Sequence, residues 1–430
     1  MKFTSENGYT RNYWALALEG SWFMGGIAVM SAGGSVSLFI NSMTGSKTLV
    51  GLAVTISTFC MLLGQLFSAP YVRSIRDFPK FFVKFMSVQR SIPLIIAIPL
   101  FLGVAGKISV GIFLVLYAVF WIIDGLMVVP WGELCARALS PDLRGHMMGM
   151  QVTIGGAASL LTGLLLTWLL ATPLLSDHYR FALIFVLASA IMLLSVFFMR
   201  MVRDPNPNLN PEKAHISQYY SRIPAVVRGS KPLRHILIAR AFAYVGFSCL
   251  SFLVVYGAGV LNLPESRVSW LVYANIAGGL VGGILLGEVS RRFGNKTVIL
   301  LCNICVFITM SMAVTLMFAP FLGYAWLFAT CSLASLTMGS WVGYFSYILD
   351  IAPDKDRSLY QVVTTCVGIP FSFAGYAMGA IVDNFGYLAM FVVGGVFVTF
   401  TVFLSTRLMS RNRIFIASKA QELLTTENEK

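Results

Sequence analysis

The chain has 430 residues, 57% of them hydrophobic and only 11% charged, with 31 Lys and Arg against 18 Asp and Glu for a net charge of +13. Soluble domains carry about a quarter charged residues, so the composition excludes a water-soluble fold and implies a chain dissolved in lipid. The basic excess would point to nucleic acid only if it gathered on a soluble surface, and its distribution along the chain assigns it to membrane topology instead.

A membrane-crossing helix needs ~20 apolar residues to span ~30 Å of hydrocarbon. At that length the sequence predicts twelve spans, at 13–40, 47–72, 84–106, 108–136, 146–172, 180–201, 235–262, 268–290, 296–318, 321–350, 358–382 and 386–408. The first is too long for a signal-peptide core and has no small-residue cleavage site after it. With both termini cytoplasmic, every Lys and Arg except Lys47, Lys107, Arg180 and Arg267 falls on the inside, as the positive-inside rule requires. The expected fold is an all-α membrane protein with an N-terminal six-helix bundle over 1–201 and a C-terminal one over 235–408. Between them, 202–234 reads as a cytoplasmic linker with a short amphipathic helix near Glu212–Val227, and 409–430 reads as a cytoplasmic tail. The seven cysteines all lie in spans, so no extracellular disulfide framework is expected, and Cys302 and Cys305 read as small lipid-facing residues.

The halves repeat. LSPDLRGHMMGMQ at 139–151 follows span four and IAPDKDRSLYQVV at 351–363 follows span ten, and Arg144 and Arg357 are placed in loops after the Pro-Asp pairs. APYVRSIRDF at 69–78 and GEVSRRFGNK at 287–296 follow spans two and eight. Weak internal symmetry of this kind marks duplicated transporter halves.

GEVSRRFGNK resembles the loop motif of the major facilitator superfamily, supplying Gly287, Arg292, Gly294 and Lys296 while Arg291 stands where the family has Asp. The first-half copy keeps less, with Ala69 for Gly, Arg73 for Asp, and only the charges of Arg76 and Lys80. The resemblance implies two pseudo-symmetric bundles and a gating role for this loop, its glycines allowing a tight turn and its basic groups reaching helix C-terminal carbonyls. Glu288 is near enough to stand in for the lost Asp but is expected on a different helical face. Arginine four residues before a span-four glycine, the mark of proton-coupled drug exporters in the superfamily, is replaced by Trp121, and span five lacks their Gly-Pro. VPWGEL at 129–134 resembles the glycoside–cation symporters, yet Val128 occupies the place of their acid.

A charge in hydrocarbon costs at least ~2.5–3.5 kcal/mol on insertion scales, so each needs a reason. Asp124 sits about sixteen residues, ~24 Å, into span four, and Glu19 about six residues into span one. The resemblance implies that spans one, four, seven and ten line a central cavity, which makes Asp124 and Glu19 the expected cation-coupling pair. Arg240 of span seven is expected to pair with one of them or to anchor at the interface. Glu133 and Arg137, spaced i and i+4, read as a structural salt bridge. Aromatic rings with polar tips and unpaired amides complete the expected substrate-binding set: Trp22, Trp121, Gln151, Tyr244, Asn275, Trp341 and Tyr344 beside Arg240.

There is no phosphate-binding lysine loop, no zinc-binding HExxH, and only four His, all near span ends or in loops. The sequence therefore predicts no enzyme, no metal, and no cofactor beyond a proton or sodium gradient. The expected protein is a monomeric multi-pass carrier in the cytoplasmic membrane whose partners are a small-molecule solute, a coupling cation and lipid, with no nucleic acid. Proton-coupled symport by alternating access is the leading function, and proton-coupled export of amphipathic compounds is the alternative.

Overall fold

A computed structural model describes residues 9–30, 35–45, 47–171, 176–207, 216–263, 265–353, 356–371 and 373–410. The helices run α1 Tyr9–Ile27, α2 Ser35–Thr44, α3 Lys47–Ser68, α4 Phe78–Phe101, α5 Gly106–Ala138, α6 Pro141–Ala171, α7 Asp177–Met199, α8 Ile216–Ser221 and α9 Ile223–Gly229. They continue with α10 Lys231–Leu250, α11 Leu253–Val260, α12 Glu265–Phe293, α13 Asn295–Phe318, α14 Gly323–Leu336, α15 Ser340–Ile351, α16 Arg357–Phe371 and α17 Ala374–Thr406. In lipid every backbone group is best satisfied within its own helix, and most of the described residues are helical. Nine stretches among them are long and apolar enough to cross a membrane. They correspond to every predicted span but the first, eighth and eleventh.

Several predicted spans are two helices end to end. The first is α1 and α2, the seventh α10 and α11, and the tenth α14 and α15 joined by a single turn at Thr337–Gly339. The eleventh is α16 and the opening of α17, which bends where Gly386 takes φ 80°, a conformation open to glycine and costly to other residues. Breaks of this type in membrane helices are tolerated where neighbouring helices satisfy the freed backbone groups.

The chain divides into two compact units, one formed by residues 1–140 and 151–216, the other by 141–150 and 217–430. This differs from the sequence reading in one respect: the first turns of α6 belong to the second unit. Arg144, expected in a loop, lies in those turns. Pro141 opens the helix and Asp142 sits in its first turn, where a missing N–H costs nothing and a negative charge meets the positive end of the helix dipole. The linker holds α8 and α9 in place of a single helix, and α10 starts at Lys231, capped by the Ser230 hydroxyl, which accepts from Leu233 N at 3.3 Å.

In the first unit, α1 and α4 both pack on α7 and α3 packs on α5. Its core is aromatic: Phe39 meets Phe113, Phe181 and Phe185 with ring centroids 5.2, 5.3 and 5.4 Å apart. The second unit repeats the pattern, α10 and α13 packing on α17 and α12 on α14, over a core that includes Cys249, Tyr256, Met310 and Phe391. Cys302 and Cys305, expected to face lipid, are buried there. Their helix, α13, turns that face toward its neighbours.

The α3–α5 contact is backbone against backbone. A Cβ on Gly125 would lie 2.0 Å from Met61 O, and one on Gly64 would lie 2.3 Å from Ile122 O. Gly278 and Gly282 of α12 make the corresponding approach to Ser332 and Leu336 of α14. Small residues permit such crossings and larger ones wedge them apart. Gly125→Val is accordingly expected to cost about 1–3 kcal/mol or more, seen as a lowered melting temperature of the purified protein, whereas Gly111→Val, where a Cβ meets nothing within 4 Å, should leave melting unchanged.

Candidate functional site

Within the first unit, the two acids singled out in the sequence share a cluster whose centre is a residue the sequence reading passed over, Arg90. It lies twelve residues into α4, about 18 Å along the helix, and is 3% exposed. Its Nη2 donates to Glu19 Oε1 at 3.5 Å. The guanidinium is held in place from several sides. Nε donates to Ser195 Oγ at 3.0 Å, the Ser189 hydroxyl donates to the Arg90 carbonyl at 2.6 Å, and the Phe23 ring lies 4.2 Å beneath the charge.

Glu19 is 4% exposed, and its second oxygen accepts from Trp131 Nε1 at 3.3 Å. The indole that reaches Glu19 thus comes from α5, and Trp22, half-buried on α1, is not its partner. Asp124 is half-buried and accepts from Gln89 Nε2 at 2.9 Å. Gln89 and Arg90 are adjacent in α4, so one turn of helix addresses both acids. The glycine crossing one residue on, at Gly125, fixes where α5 presents Asp124.

The remaining expected residues divide into packing and a second polar group. Trp121 forms part of the aromatic core, 5.5 Å from Phe120 and 6.0 Å from Tyr117 between ring centroids. Gln151, read as an unpaired amide, is buried over Gly20, where its Nε2 donates to Leu16 O at 3.4 Å and its own carbonyl accepts from Ser21 Oγ at 3.3 Å. Its polar groups tie α6 to α1. Trp341 is 36% exposed beside Phe345. Asn275 lies in α12, but its side chain falls outside those described.

In the second unit, Arg240, Tyr244 and Tyr344 do come together. Arg240 Nε and Nη2 donate to Tyr244 Oη at 3.3 and 3.2 Å. Its guanidinium carbon lies 5.5 Å from the Tyr244 ring centroid and 5.6 Å from that of Tyr344. Tyr344 is buried and accepts from Asn303 Nδ2 at 3.1 Å. Within the second unit Arg240 is thus set among aromatic rings.

The loop motif is also folded within the second unit. Gly287 meets the backbone of α6: a Cβ there would lie 3.2 Å from Gly149 Cα. Arg292, expected to reach helix C-terminal carbonyls, pairs with Glu288, as does Arg291 at 2.5 Å. Glu288 therefore serves both arginines at i+3 and i+4, against the expectation that its face would keep it apart. Gly294 takes φ 81° at the start of α13, and Lys296 Nζ donates to Thr406 O at 2.7 Å, close to the end of α17. Beside it, Asp350 accepts from Arg144 at 3.4 Å and from Asn295 at 2.6 Å. Glu133 and Arg137 form the expected salt bridge at 2.8 Å. Asp77, outside the spans, caps α4. Burial pushes its carboxyl up, and the Lys80 backbone and side-chain contacts together outweigh that and hold it below the usual range. Among the described residues, no three His, Cys, Asp or Glu gather to hold a metal ion.

Two units built on the same helix pairing, with charges held inside apolar helices, define a duplicated multi-pass membrane protein. The family description "MFS/sugar transport protein" matches residues 88–324, and "Major Facilitator Superfamily" matches residues 236–422. The chain belongs to the major facilitator superfamily, whose fold has twelve helices in two bundles and whose members carry solutes across membranes by secondary transport. Similar solved structures include a bacterial homologue of the iron transporter ferroportin in an outward-facing state, 16% identical, covering 92% of this chain and 98% of that one with TM-score 0.69. FucP in the outward conformation is 13% identical, covering 94% and 99%, with TM-score 0.68. The proton:xylose symporter XylE, bound to 6-bromo-6-deoxy-D-glucose, is 13% identical, covering 94% and 96%, with TM-score 0.68. No curated protein matches the chain in sequence.

The cluster makes a stability prediction. Removing Arg90 strands Glu19 without its cation, and breaking a buried pair from one side costs about 3–5 kcal/mol. Arg90→Met should lower the melting temperature strongly, and Glu19→Gln added to it should restore a large part of the loss, which a double-mutant thermal-melt cycle measures.

Proposed function

We propose that this chain is a proton-coupled symporter of a small organic solute, working by alternating access in the cytoplasmic membrane with both termini inside. One observation carries the reading: inside the first unit two carboxylates and one guanidinium cluster within apolar helices, Glu19 paired with Arg90 and Asp124 bonded to Gln89, the residue beside Arg90. With all three ionised the cluster holds one negative charge in excess, at a depth where an uncompensated charge is expensive. A single bound proton removes the excess, and its release restores it. Such a site accepts and returns a cation once per cycle without rebuilding its surroundings.

Asp124 is the better proton carrier of the two. It is more exposed than Glu19 and is tied only to the neutral Gln89, whereas Glu19 is tied to Arg90 and Trp131. Several neighbours in fold couple solute movement to protons by their own descriptions, XylE and the fucose:proton symporter FucP among them.

The test uses purified protein in proteoliposomes, with a solute first found by thermal-shift screening of a metabolite library. Asp124→Asn is expected to abolish accumulation driven by a pH gradient, and the solute-dependent proton influx reported by an internal pH dye, while counterflow exchange of the solute persists. Full gradient-driven uptake in that variant would refute the proton role of Asp124.

A further inference from the structure

The charge balance differs between the two units, and Arg240 carries the difference. It lies nine residues past the start of α10, about 14 Å along the helix, half-buried and inside an apolar run. Its contacts are the Tyr244 hydroxyl and the faces of Tyr244 and Tyr344. Among the described residues no carboxylate lies within ion-pair distance of it. Arg90 in the first unit has Glu19 at 3.5 Å, and Arg144 in the second has Asp350 at 3.4 Å. Arg240 is the contrasting case, a membrane-depth guanidinium neutralised only by ring quadrupoles and a neutral hydroxyl.

A guanidinium offers five N–H donors in a planar fork. Tyr244 engages Nε and Nη2 alone, so Nη1 and the second hydrogen of Nη2 remain, the pair that meets a carboxylate in bidentate fashion. The surroundings hold this fork still. Tyr344 is 4% exposed and fixed by Asn303. Tyr244 packs its hydroxyl against Gly368 of α16, where a Cβ would lie 3.0 Å away. The result is a fixed cation walled by two aromatic rings and half open, suited to a small anion with an apolar body.

We propose that the transported solute is an organic anion, a small carboxylate whose charge docks on Arg240 and whose carbon frame lies against Tyr244 and Tyr344. The proposal rests on the transporter reading above and names its substrate class. It also closes the charge balance: the Glu19–Asp124–Arg90 cluster lacks one positive charge and Arg240 lacks one negative charge. One proton and one carboxylate together satisfy both, so the loaded carrier crosses with no uncompensated charge in either unit, and transport is electroneutral.

The experiment titrates the purified protein, in phosphatidylcholine nanodiscs at neutral pH, with acetate, butyrate, benzoate and phenylacetate, each beside its uncharged amide, and reads melting by tryptophan fluorescence. At least one acid is expected to raise the melting temperature saturably while its amide does not. Arg240→Gln should weaken that half-saturation about tenfold or more, in line with loss of a charge-assisted pair. Arg240→Lys, which keeps charge and fold, should retain part of it. Equal shifts from acid and amide, an acid response unchanged in Arg240→Gln, or no response to any of the eight probes would overturn the proposal. If discs containing phosphatidylglycerol abolish the acid response, the anion at Arg240 is a lipid headgroup and the solute assignment falls. Asp124→Asn separates the two readings, since it should bind the acid like the wild-type protein while losing proton-driven uptake. A variant that keeps uptake but shows the acid–amide difference refutes the coupling role alone, and the reverse pattern refutes the anion alone.

Discussion

Everything in the first unit is arranged around the cost of holding Arg90 away from water. A guanidinium in hydrocarbon is stable only if its charge is opposed and its donors are met. Here Glu19 opposes it, Ser195 meets Nε, and the Phe23 ring lies under its face, while Nη1 is buried without a hydrogen-bond partner. Those partners sit on α1 and α7, the helices that α4 must pack beside for the charge to be tolerated. The ion pair at the proposed site therefore also selects which helices neighbour one another. Changing it alters folding and transport together, which is why melting and flux have to be read in parallel.

The second unit repeats the helix pairing without repeating the chemistry. Its α10 and α13 lie on α17 as α1 and α4 lie on α7, and close glycine approaches recur between α12 and α14 as between α3 and α5. Yet the acid pair has no counterpart at Arg240, where aromatic faces replace carboxylates. Duplication supplied the scaffold, and divergence of a few side chains placed an acid-rich cluster in one half and, among the described residues, a guanidinium set against aromatic rings in the other. The proposed co-transport of a proton and an anion would be well served by that asymmetry.

The fold was readable from the sequence because lipid imposes a simple code: long apolar runs, basic residues on one side, and a repeat at half-length. Glu19 and Asp124 were readable for the same reason, since an acid in such a run is conspicuous. Arg90 was not singled out because a basic residue seven positions inside a predicted span counts equally well as an inner-side anchor. Only the packing of α4 on α7 shows that it is enclosed. Gln151 erred in the opposite direction. Its amide looked orphaned along the chain, but its partner is the Leu16 carbonyl on a helix 135 residues away in sequence. The Pro-Asp at 141–142 signals a helix start as readily as a turn, which is how Arg144 was placed in a loop. Partner choice is a property of helix neighbours, and neighbours are what a one-dimensional pattern leaves undetermined.

The backbone contact between Gly64 and Gly125 has a mechanical corollary. With no side chains between them, α3 and α5 have nothing to compress or re-rotamer, so they move as one plate carrying Asp124 and Trp131. Arg90 is bolted by Ser189 and Ser195 to α7, which also carries α1 and Glu19, and these three helices form the opposing plate. The hydrogen bonds from Gln89 to Asp124 and from Trp131 to Glu19 stitch one plate to the other. Sliding between the plates would change how far the guanidinium lies from each acid, so the proposed proton site would sense shear inside a single bundle.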